Sequence, residues 1–440
     1  MNNKKWMEIL LGGIMAASLA APCSVSAAEK TTLTFWHAMG GTNGEVLQQI
    51  VDDFNASQDE IEIKAEYQGT YDDTITKLKA AMQSDSGLPD VCQMYDVGTK
   101  FMYDSGAVIP VEDKFESTGY DKSSVMDVIS SYYTVEGKQY AMPFNVSTPM
   151  LYYNKDVFEA AGLDPETPPT TYDEVLEDAK KIVESGAAPV GYSQAIYGWF
   201  FEQQLAGLGV TYGNNDNGRT EAVTAVDFDS NGGGLKVFDM WKKLYDSGYF
   251  EDYGTTTADT QTAFFSGQVG MFIESTAILK NAVDSSPFEV GTGYLPRIEQ
   301  NDEGGVIIGG GSLWLTDTGN EANEDAAWKF IEYITTPDVQ AKWSMGTGYF
   351  AINEKAYETD DMKAYLEENP NFMTAINQLK DSPVNCNTAG VLSGVQTEAR
   401  LTFNEIMPQV YDGKLTTQDA VDQLAASVNK AIENYNESIK

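Results

Sequence analysis

The sequence has few of the residues that enzyme and metal centres most often use. Its 440 residues include one histidine, His37, and three cysteines, Cys23, Cys92 and Cys386. One histidine leaves almost no room for histidine-based catalysis or a histidine-rich metal site, and His37 itself is interpreted as a lining or structural residue. No Cys-x-x-Cys motif or Cys/His cluster occurs, so we expect no metal, redox pair or cofactor. Whether Cys92 and Cys386 form a disulfide stays open.

Positive charge is also scarce. Lysine and arginine number 28 against 66 aspartates and glutamates, which gives a formal net charge of −38. Such a charge argues against nucleic acid and anionic membranes as partners. It does not exclude a small anion, because screening over about 8 Å leaves that question to local arginines and backbone N–H groups. We therefore take the net charge to favour solubility, and we expect a monomer.

Long apolar runs are missing except near the start of the chain. Lys4 and Lys5 precede "MEILLGGIMAASLAA", and small residues follow, which predicts a secretory signal peptide over residues 1–28. Pro22 disfavours Cys23 as a lipid-anchor residue, although its lipidation stays open. No later run reaches the roughly 20 apolar residues of a membrane span. We expect the mature protein to lie outside the cytoplasm, in the periplasm or at the cell surface.

The first part of the mature chain alternates strand and helix patterns. The strand-like runs "TLTFW", "IEIKAEY" and "DVCQMY" are separated by amphipathic runs over residues 45–55 and 72–83. This order predicts a parallel α/β unit. Ligands of such sheets bind beyond the carboxyl ends of the strands, here residues 37–41, 68–71 and 95–99. A chain of this length suggests two domains.

A second set of elements begins near "YAMPFNVSTPMLYYN". In "LYYNKDVFEAAGLDP" a strand is predicted to lead into a short helix capped by Asn154 and stopped at Gly162. Helix patterns follow in "TTYDEVLEDAKKIVESG" and "AIYGWFFEQQLAGLG", then a strand-to-helix junction at Ser275 and a returning strand in "GGVIIGGGSLWLTD". The pattern predicts two α/β lobes joined by more than one crossover.

Several longer segments occur in a characteristic order, namely "FWHAMGG", "MYDVGT", "PFNVSTPMLYYNKDVFEAAGLDPETPPTTYDEV", "IIGGGSLWL", "TGYFAINEKAYE" and the spacing from "GVLSG" to Arg400. By these segments the chain resembles the extracytoplasmic solute-binding proteins of ABC importers (family 1), and most of all their sn-glycerol-3-phosphate-binding branch. The resemblance implies a two-lobe α/β fold of type II, maltose-binding-protein-like, with the ligand cleft between the lobes. It also implies a protein without enzymatic activity that delivers solute to permease subunits.

Lobe limits follow from the same resemblance. We expect an N-terminal lobe from residues 29–143 plus 302–345 and a C-terminal lobe from residues 144–301 plus 346–440.

Ligand contacts can also be placed by the resemblance, which implies seven residues: Tyr71, Asp96, Ser147, Ser275, Gly310, Tyr349 and Arg400. Arg400 would hold a phosphate group bidentately. Asp96 stands where the family generally has Glu, and it would accept hydrogen bonds from glycerol hydroxyls. The implied ligand is sn-glycerol 3-phosphate, with glycerophosphodiesters as a further possibility. Tyr71, Asp96 and Gly310 would come from the first lobe and the other four from the second.

Each of these residues also has a plainer interpretation. Arg400 could form a surface ion pair with Glu398 or Glu405, and Ser275 could be an ordinary helix cap. Gly309–Gly311 could be a strand bend or bulge.

Two rival functions stay open. A carbohydrate-binding protein of the same fold is the nearer one, supported by Asp96 and by Tyr172, where the phosphate binders often have Trp. A secreted hydrolase is the other, although no carboxylate pair stands out.

Overall fold

The computed structural model describes residues 30–84 and 87–439. The predicted signal peptide and Cys23 lie outside these residues. No helix among the described residues is both long and apolar enough to cross a bilayer.

The strands of the described residues are β1 Thr31–His37, β2 Ile61–Tyr67, β3 Val91–Tyr95, β4 Val108–Ile109, β5 Thr134–Val135, β6 Lys138–Gln139, β7 Met142–Ser147, β8 Pro149–Asn154, β9 Val190–Ser193, β10 Val269–Ser275, β11 Val290–Gly293 and β12 Gly309–Thr316.

The helices are α1 Gly41–Ser57, α2 Tyr71–Met82, α3 Thr99–Asp104, α4 Glu112–Thr118, α5 Asp127–Ser130, α6 Lys155–Ala160, α7 Tyr172–Ser185, α8 Gly198–Gly207, α9 Gly233–Asp246, α10 Thr257–Phe265, α11 Leu279–Ser285, α12 Glu321–Ile334, α13 Pro337–Thr347, α14 Asp360–Glu368, α15 Asn371–Asp381, α16 Gln396–Tyr411 and α17 Thr417–Ser438. Short 3₁₀ helices cover Asp96–Gly98, Lys122–Ser124, Ser131–Tyr133, Thr276–Ile278 and Glu354–Glu358. Asn214–Gly218 form a left-handed turn with positive φ angles.

The first sheet has six strands in the order β2-β1-β3-β12-β4, with β7 also paired to β12. β1 runs parallel to β2 and to β3, which confirms the predicted parallel unit. The returning strand β12 lies antiparallel to β3 on one side and to β4 and β7 on the other. We call this sheet with its helices the first lobe.

The second sheet has four strands in the order β11-β8-β10-β9 and forms the second lobe with its own helices. β8 runs antiparallel to both neighbours, while β9 runs parallel to β10. Its strand β8 directly follows the last strand of the first sheet, since only Thr148 separates Ser147 from Pro149. Thr148 accepts a bond from Thr276 N (2.9 Å), which ties this crossing to the end of β10. The predicted lobe limits themselves stay predictions.

Local signals determine several helix ends. Asn154 Oδ1 accepts a bond from Val157 N at 3.1 Å, and Gly162 has φ +75°, so the predicted cap and stop are confirmed. Thr171 and Glu174 form a reciprocal capping box at the start of α7. These bonds satisfy backbone N–H groups that the first helical turn leaves without partners.

Side chains of β8 face alternately into two cores, because successive residues of a strand point to opposite sides. Leu151 and Tyr153 belong to the core of the second lobe. Met150 and Tyr152 belong to an apolar cluster that continues into the first lobe. The two lobes are therefore connected by continuous packing as well as by chain crossings.

Candidate ligand-binding site between the lobes

The first wall of the site is built at the carboxyl ends of two parallel strands. Tyr71 begins α2 after β2, and Asp96 directly follows β3. Tyr71 stacks on Tyr95 with ring centroids 5.1 Å apart, and its hydroxyl accepts a bond from Asn145 Nδ2 at 2.7 Å. Burial raises the pKa of Tyr71 well above its ordinary value, so its hydroxyl stays protonated and able to donate.

Gly310 lies where β12 presses against β7. Its φ is +89°, and a Cβ placed there would stand 1.9 Å from the Asn145 carbonyl oxygen. The ladder shifts register between Gly311 and Ser312, which agrees with the plainer interpretation of this glycine run as a strand irregularity. The backbone here has the close approach that only glycine permits.

Ser147 and Tyr349 lie beside this strand pair. Ser147 ends β7 and is paired with Gly309, so it belongs to the first sheet and not to the second lobe, where it was expected, because β7 pairs with β12 before the chain crosses over. Phe350 N donates to Val146 O at 2.9 Å, which holds the neighbouring Tyr349 against the same strand. Tyr349 is buried and lies close to Tyr71, and burial raises its pKa. The first wall thus presents several neutral hydroxyl groups.

Arg400 joins the two lobes. It lies on α16 of the second lobe and is only 8% exposed. Its Nε and Nη2 donate to the two oxygens of Glu202 on α8, both at 2.7 Å. Nη2 also donates to Asp96 Oδ2 of the first lobe at 2.8 Å. We call Asp96, Glu202 and Arg400 the ionic triad.

The ionic triad corrects one interpretation of the sequence. The proposed surface pairs of Arg400 with Glu398 or Glu405 are wrong, because the guanidinium points into the cleft and pairs with carboxylates from other elements. Three of its five N–H groups are used, and no described residue accepts from Nη1. The two N–H groups of Nη1 are therefore available to a ligand.

Within the triad, burial and the interactions between the charged groups shift the pKa values in opposite directions. Burial raises the pKa of Glu202, although Arg400 acts in the other direction. Burial also works against the charge of Arg400, but Asp96 and Glu202 outweigh it, and the pKa of Arg400 lies well above its ordinary value. With all three groups ionised, the triad has a net charge of −1.

Ser275 closes the second side of the site. Its Oγ accepts from Ala277 N at 3.2 Å, which confirms the cap interpretation and leaves the hydroxyl hydrogen to be donated. Beside it, Glu274 is buried and accepts from Ser275 N (2.7 Å) and Gln261 Nε2 (3.0 Å). Burial raises the pKa of Glu274. The short 3₁₀ turn after Ser275 positions it beside the crossing at Thr148.

Trp199 adds a donor that the sequence analysis did not single out. It stands on α8 with its indole against Gly309, where an added Cβ would lie 2.6 Å from Cζ2. The indole is 5% exposed, and its Nε1 is buried without a partner among the described residues. A buried unpaired N–H is unfavourable, so a ligand acceptor at this place would be stabilising.

Further contacts hold the lobes together around the triad. Tyr95 donates to Asp72 (2.9 Å), and its Oη lies 2.7 Å from Thr397 Oγ1 of the second lobe. Tyr435 of the C-terminal helix donates to Asp104 Oδ2 of the first lobe at 2.6 Å. The lobes therefore contact each other directly across the cleft.

Three further residues singled out in the sequence are His37, Cys92 and Cys386. His37 is buried, accepts from Met39 N at 3.3 Å, and has a pKa lowered by burial to about 4, so it is neutral at physiological pH. Cys92 and Cys386 are both free thiols. Burial in β3 raises the pKa of Cys92 to about 12.

Two cavities, of about 710 and 530 Å³, have linings that include none of the seven predicted residues. The larger one contains Arg219, whose three guanidinium nitrogens donate to the carbonyl groups of Tyr132, Ala389 and Gly390. These bonds use four of the five N–H donors of Arg219, which leaves few for an anion. We therefore place the site in the closed cleft, on the basis of the chemistry of its side chains. Those side chains themselves fill the space between the lobes.

Glu202 is the most important residue that sequence reasoning missed. It stands in the aromatic stretch that was interpreted as a core helix, and that helix is α8. A signal was present, because Glu202 is the one charged residue between Glu184 and Asp216. A lone carboxylate in a buried helix needs a cation, and the chain has three arginines, Arg219, Arg297 and Arg400.

Solved structures of two-lobe solute-binding proteins share this fold. The cyclic alpha-maltosyl-1,6-maltose binding protein from Arthrobacter globiformis is similar with a TM-score of 0.76 and 26% identity, covering 92% of this chain and all of the other. UgpB from Mycobacterium tuberculosis, solved in complex with glycerophosphocholine, is similar with a TM-score of 0.79 and 20% identity, covering 93% of this chain and all of the other. The fold and the interlobe site thus define a two-lobe solute-binding protein of the maltose-binding-protein-like type.

The chain belongs to the bacterial extracellular solute-binding protein family, whose model matches residues 49–374. The sn-glycerol-3-phosphate-binding periplasmic protein UgpB of Escherichia coli K12 is 31% identical over 417 residues, covering 93% of this chain and 94% of that protein. The UgpB protein of Shigella dysenteriae is likewise 31% identical, over 420 residues, with the same coverage of both chains. The protein is therefore an extracytoplasmic component of an ABC importer of the UgpB type and is not an enzyme. Such proteins bind small solutes and deliver them to permease subunits.

Proposed function

We propose that this protein binds small glycerol phosphate esters, sn-glycerol 3-phosphate or its glycerophosphodiesters, between its lobes. The observation that carries the proposal is Arg400, which reaches the cleft with no acceptor for Nη1 among the described residues. Relatives of similar length at about 31% identity are named as sn-glycerol-3-phosphate-binding proteins, which supports the same ligand class.

Six of the seven predicted residues, together with Trp199, take complementary roles in this proposal. Arg400 Nη1 and the unpaired Trp199 Nε1 donate to phosphate oxygens. Asp96 accepts from glycerol hydroxyls, and its charge directs the phosphate away from itself. Neutral hydroxyl donors complete the set, and these are Tyr71, Ser147, Ser275 and Tyr349.

Ligand then favours the closed arrangement, because it contacts both lobes at once. We propose that the loaded protein acts as a monomer, presents the closed form to its permease, and binds no nucleic acid. The net charge of −38 supports the last point.

A neutral carbohydrate is the second candidate. It is favoured by the partial neutralisation of Arg400, whose Nε and Nη2 already bond two carboxylates. An arginine and carboxylates in one cluster offer the donors and acceptors that sugar hydroxyls need. Tyr172 gives this candidate no support, since it is buried and accepts from Gln204 Nε2 at 2.7 Å within the second lobe.

Titration calorimetry of the mature chain, refolded to remove bound ligand, tests the choice. We expect sn-glycerol 3-phosphate and glycerophosphoglycerol to bind with micromolar or tighter dissociation constants and maltose to give no heat. Heat from maltose with silence from both esters would establish the carbohydrate candidate instead.

Trp199→Phe is expected to weaken ester binding about 10-fold, since it removes one hydrogen bond to a charged group while keeping the ring on Gly309. Trp314→Phe is the matched control, because Trp314 Nε1 is also unpaired but lies in the core of the first sheet. The control should lower the melting temperature and leave the dissociation constant unchanged. Equal dissociation constants for Trp199→Phe and wild type would remove Trp199 from the site.

A further inference from the structure

We infer that Glu202 sets the ligand charge that the site accepts, so that monoanionic phosphodiesters bind better than dianionic phosphomonoesters. This inference rests on the proposed function and concerns the same site. Glu202 is not expected to contact the ligand directly. Its two oxygens are both engaged by Arg400, at 2.7 Å each, and it is 6% exposed.

The bidentate ion pair with Glu202 limits what Arg400 can offer a ligand. A buried arginine facing a phosphate would normally offer its full positive charge and a two-pronged edge. Here Glu202 occupies the edge formed by Nε and Nη2, and Asp96 takes the second hydrogen of Nη2. Only the Nη1 end is left, and it belongs to a triad whose net charge is −1 rather than +1.

The surroundings do not restore the positive charge. Tyrosines near the triad are Tyr132, Tyr133, Tyr197 and Tyr212, and burial raises the pKa of each, so they are neutral. Gln396 donates to Glu202 Oε1 at 2.9 Å and is uncharged.

Glu274 is the other carboxylate near Tyr197, and Arg219 is the one further cation near Tyr132. Arg219 donates to backbone carbonyl groups, and its Cζ lies 5.3 Å from the centroid of that ring.

Ligand charge then decides affinity within one chemical class. sn-Glycerol 3-phosphate has its second phosphate pKa near 6 and is a dianion at pH 7.5. Glycerophosphoglycerol has the same glycerol phosphate unit but a single charge at any pH from 5 to 8. Coulomb energy is linear in the ligand charge, so a fixed carboxylate opposes the dianion about twice as strongly as the monoanion.

Glu202→Gln tests this inference, because the amide keeps an acceptor for Arg400 and removes one negative charge. We expect both esters to bind more tightly, with the logarithm of the gain for the monoester about twice that for the diester. A roughly 10-fold gain for the diester would accompany a roughly 100-fold gain for the monoester. Glu398→Gln is the matched control, since it removes an exposed carboxylate from the same helix as Arg400 and should change neither constant.

A second measurement keeps the inference testable should the Glu202 variant fail to fold. In wild type, lowering the pH from 7.5 to 5 converts the monoester to a monoanion and leaves the diester unchanged. The dissociation constant of the monoester should fall several-fold relative to that of the diester. Protonation of Glu202, whose pKa burial raises, would tighten both monoanions alike, so the ratio of the two dissociation constants is the quantity to compare.

The outcomes separate the two proposals. Equal logarithmic gains for both esters, or a monoester already tighter than the diester at pH 7.5, would overturn the role of Glu202 and leave the proposed function intact. Absence of binding by either ester, in wild type and in the variant at both pH values, would overturn the proposed function itself.

Discussion

Arg400→Ala is expected to weaken ester binding at least about 100-fold and to destabilise the fold by about 3–5 kcal/mol. Alanine removes the donors offered by Nη1 and also the cation between two buried carboxylates, Asp96 and Glu202. Removing one partner of a buried ion pair leaves uncompensated charge, which accounts for the stability loss. Calorimetric titration and chemical denaturation measure the two effects.

Two further arginine variants make this result specific. Arg297→Ala is the matched control, because the Arg297 side chain is exposed and makes none of the described ion pairs. It should change stability by less than about 0.5 kcal/mol and leave binding intact. Arg400→Lys keeps the charge but not the fork, so it should fold and still lose at least about 10-fold in affinity. If Arg400→Lys and Arg400→Ala both bound the esters with the wild-type dissociation constant, the ligand would have to bind elsewhere.

Gly310→Ala is expected to be strongly destabilising, with a loss of at least about 3 kcal/mol in the free energy of unfolding. Two costs combine here. The backbone φ of +89° strains any side chain, and the new Cβ would lie 1.9 Å from the Asn145 carbonyl oxygen. Because β7 and β12 would have to separate, we also expect ligand affinity to fall.

Gly319→Ala isolates the backbone part of that cost. Gly319 also has positive φ, +69°, but an added Cβ would meet nothing within 4 Å. Its substitution should cost about 1 kcal/mol and leave binding unchanged. Similar losses of stability for Gly310→Ala and Gly319→Ala would show that the close approach of Gly310 to β7 is not important.

Local structure was predictable from the sequence because its causes are local. The cap at Asn154, the stop at Gly162 and the alternation of strands and helices depend on residues within a few positions of one another. The returning strand β12 was also visible as a short apolar run. Its pairing with β3, β4 and β7 was not predictable, since strand pairing depends on contacts between residues far apart in the chain.

The candidate site shows the same limit more sharply. Arg400 pairs with Glu202 and Asp96, which lie 198 and 304 positions away. Sequence reasoning could offer only neighbours on its own helix, Glu398 and Glu405, and these are not its partners. The seven ligand residues came from the resemblance of whole segments. That resemblance contained no information on Glu202.

The most direct test of the account is a crystal structure of the mature protein with glycerophosphoglycerol. We predict electron density for the phosphate within hydrogen-bonding distance of Arg400 Nη1 and Trp199 Nε1, with the glycerol hydroxyls toward Asp96. Density for the ligand in the 710 Å³ cavity beside Arg219, with the ionic triad unchanged, would contradict the placement of the site.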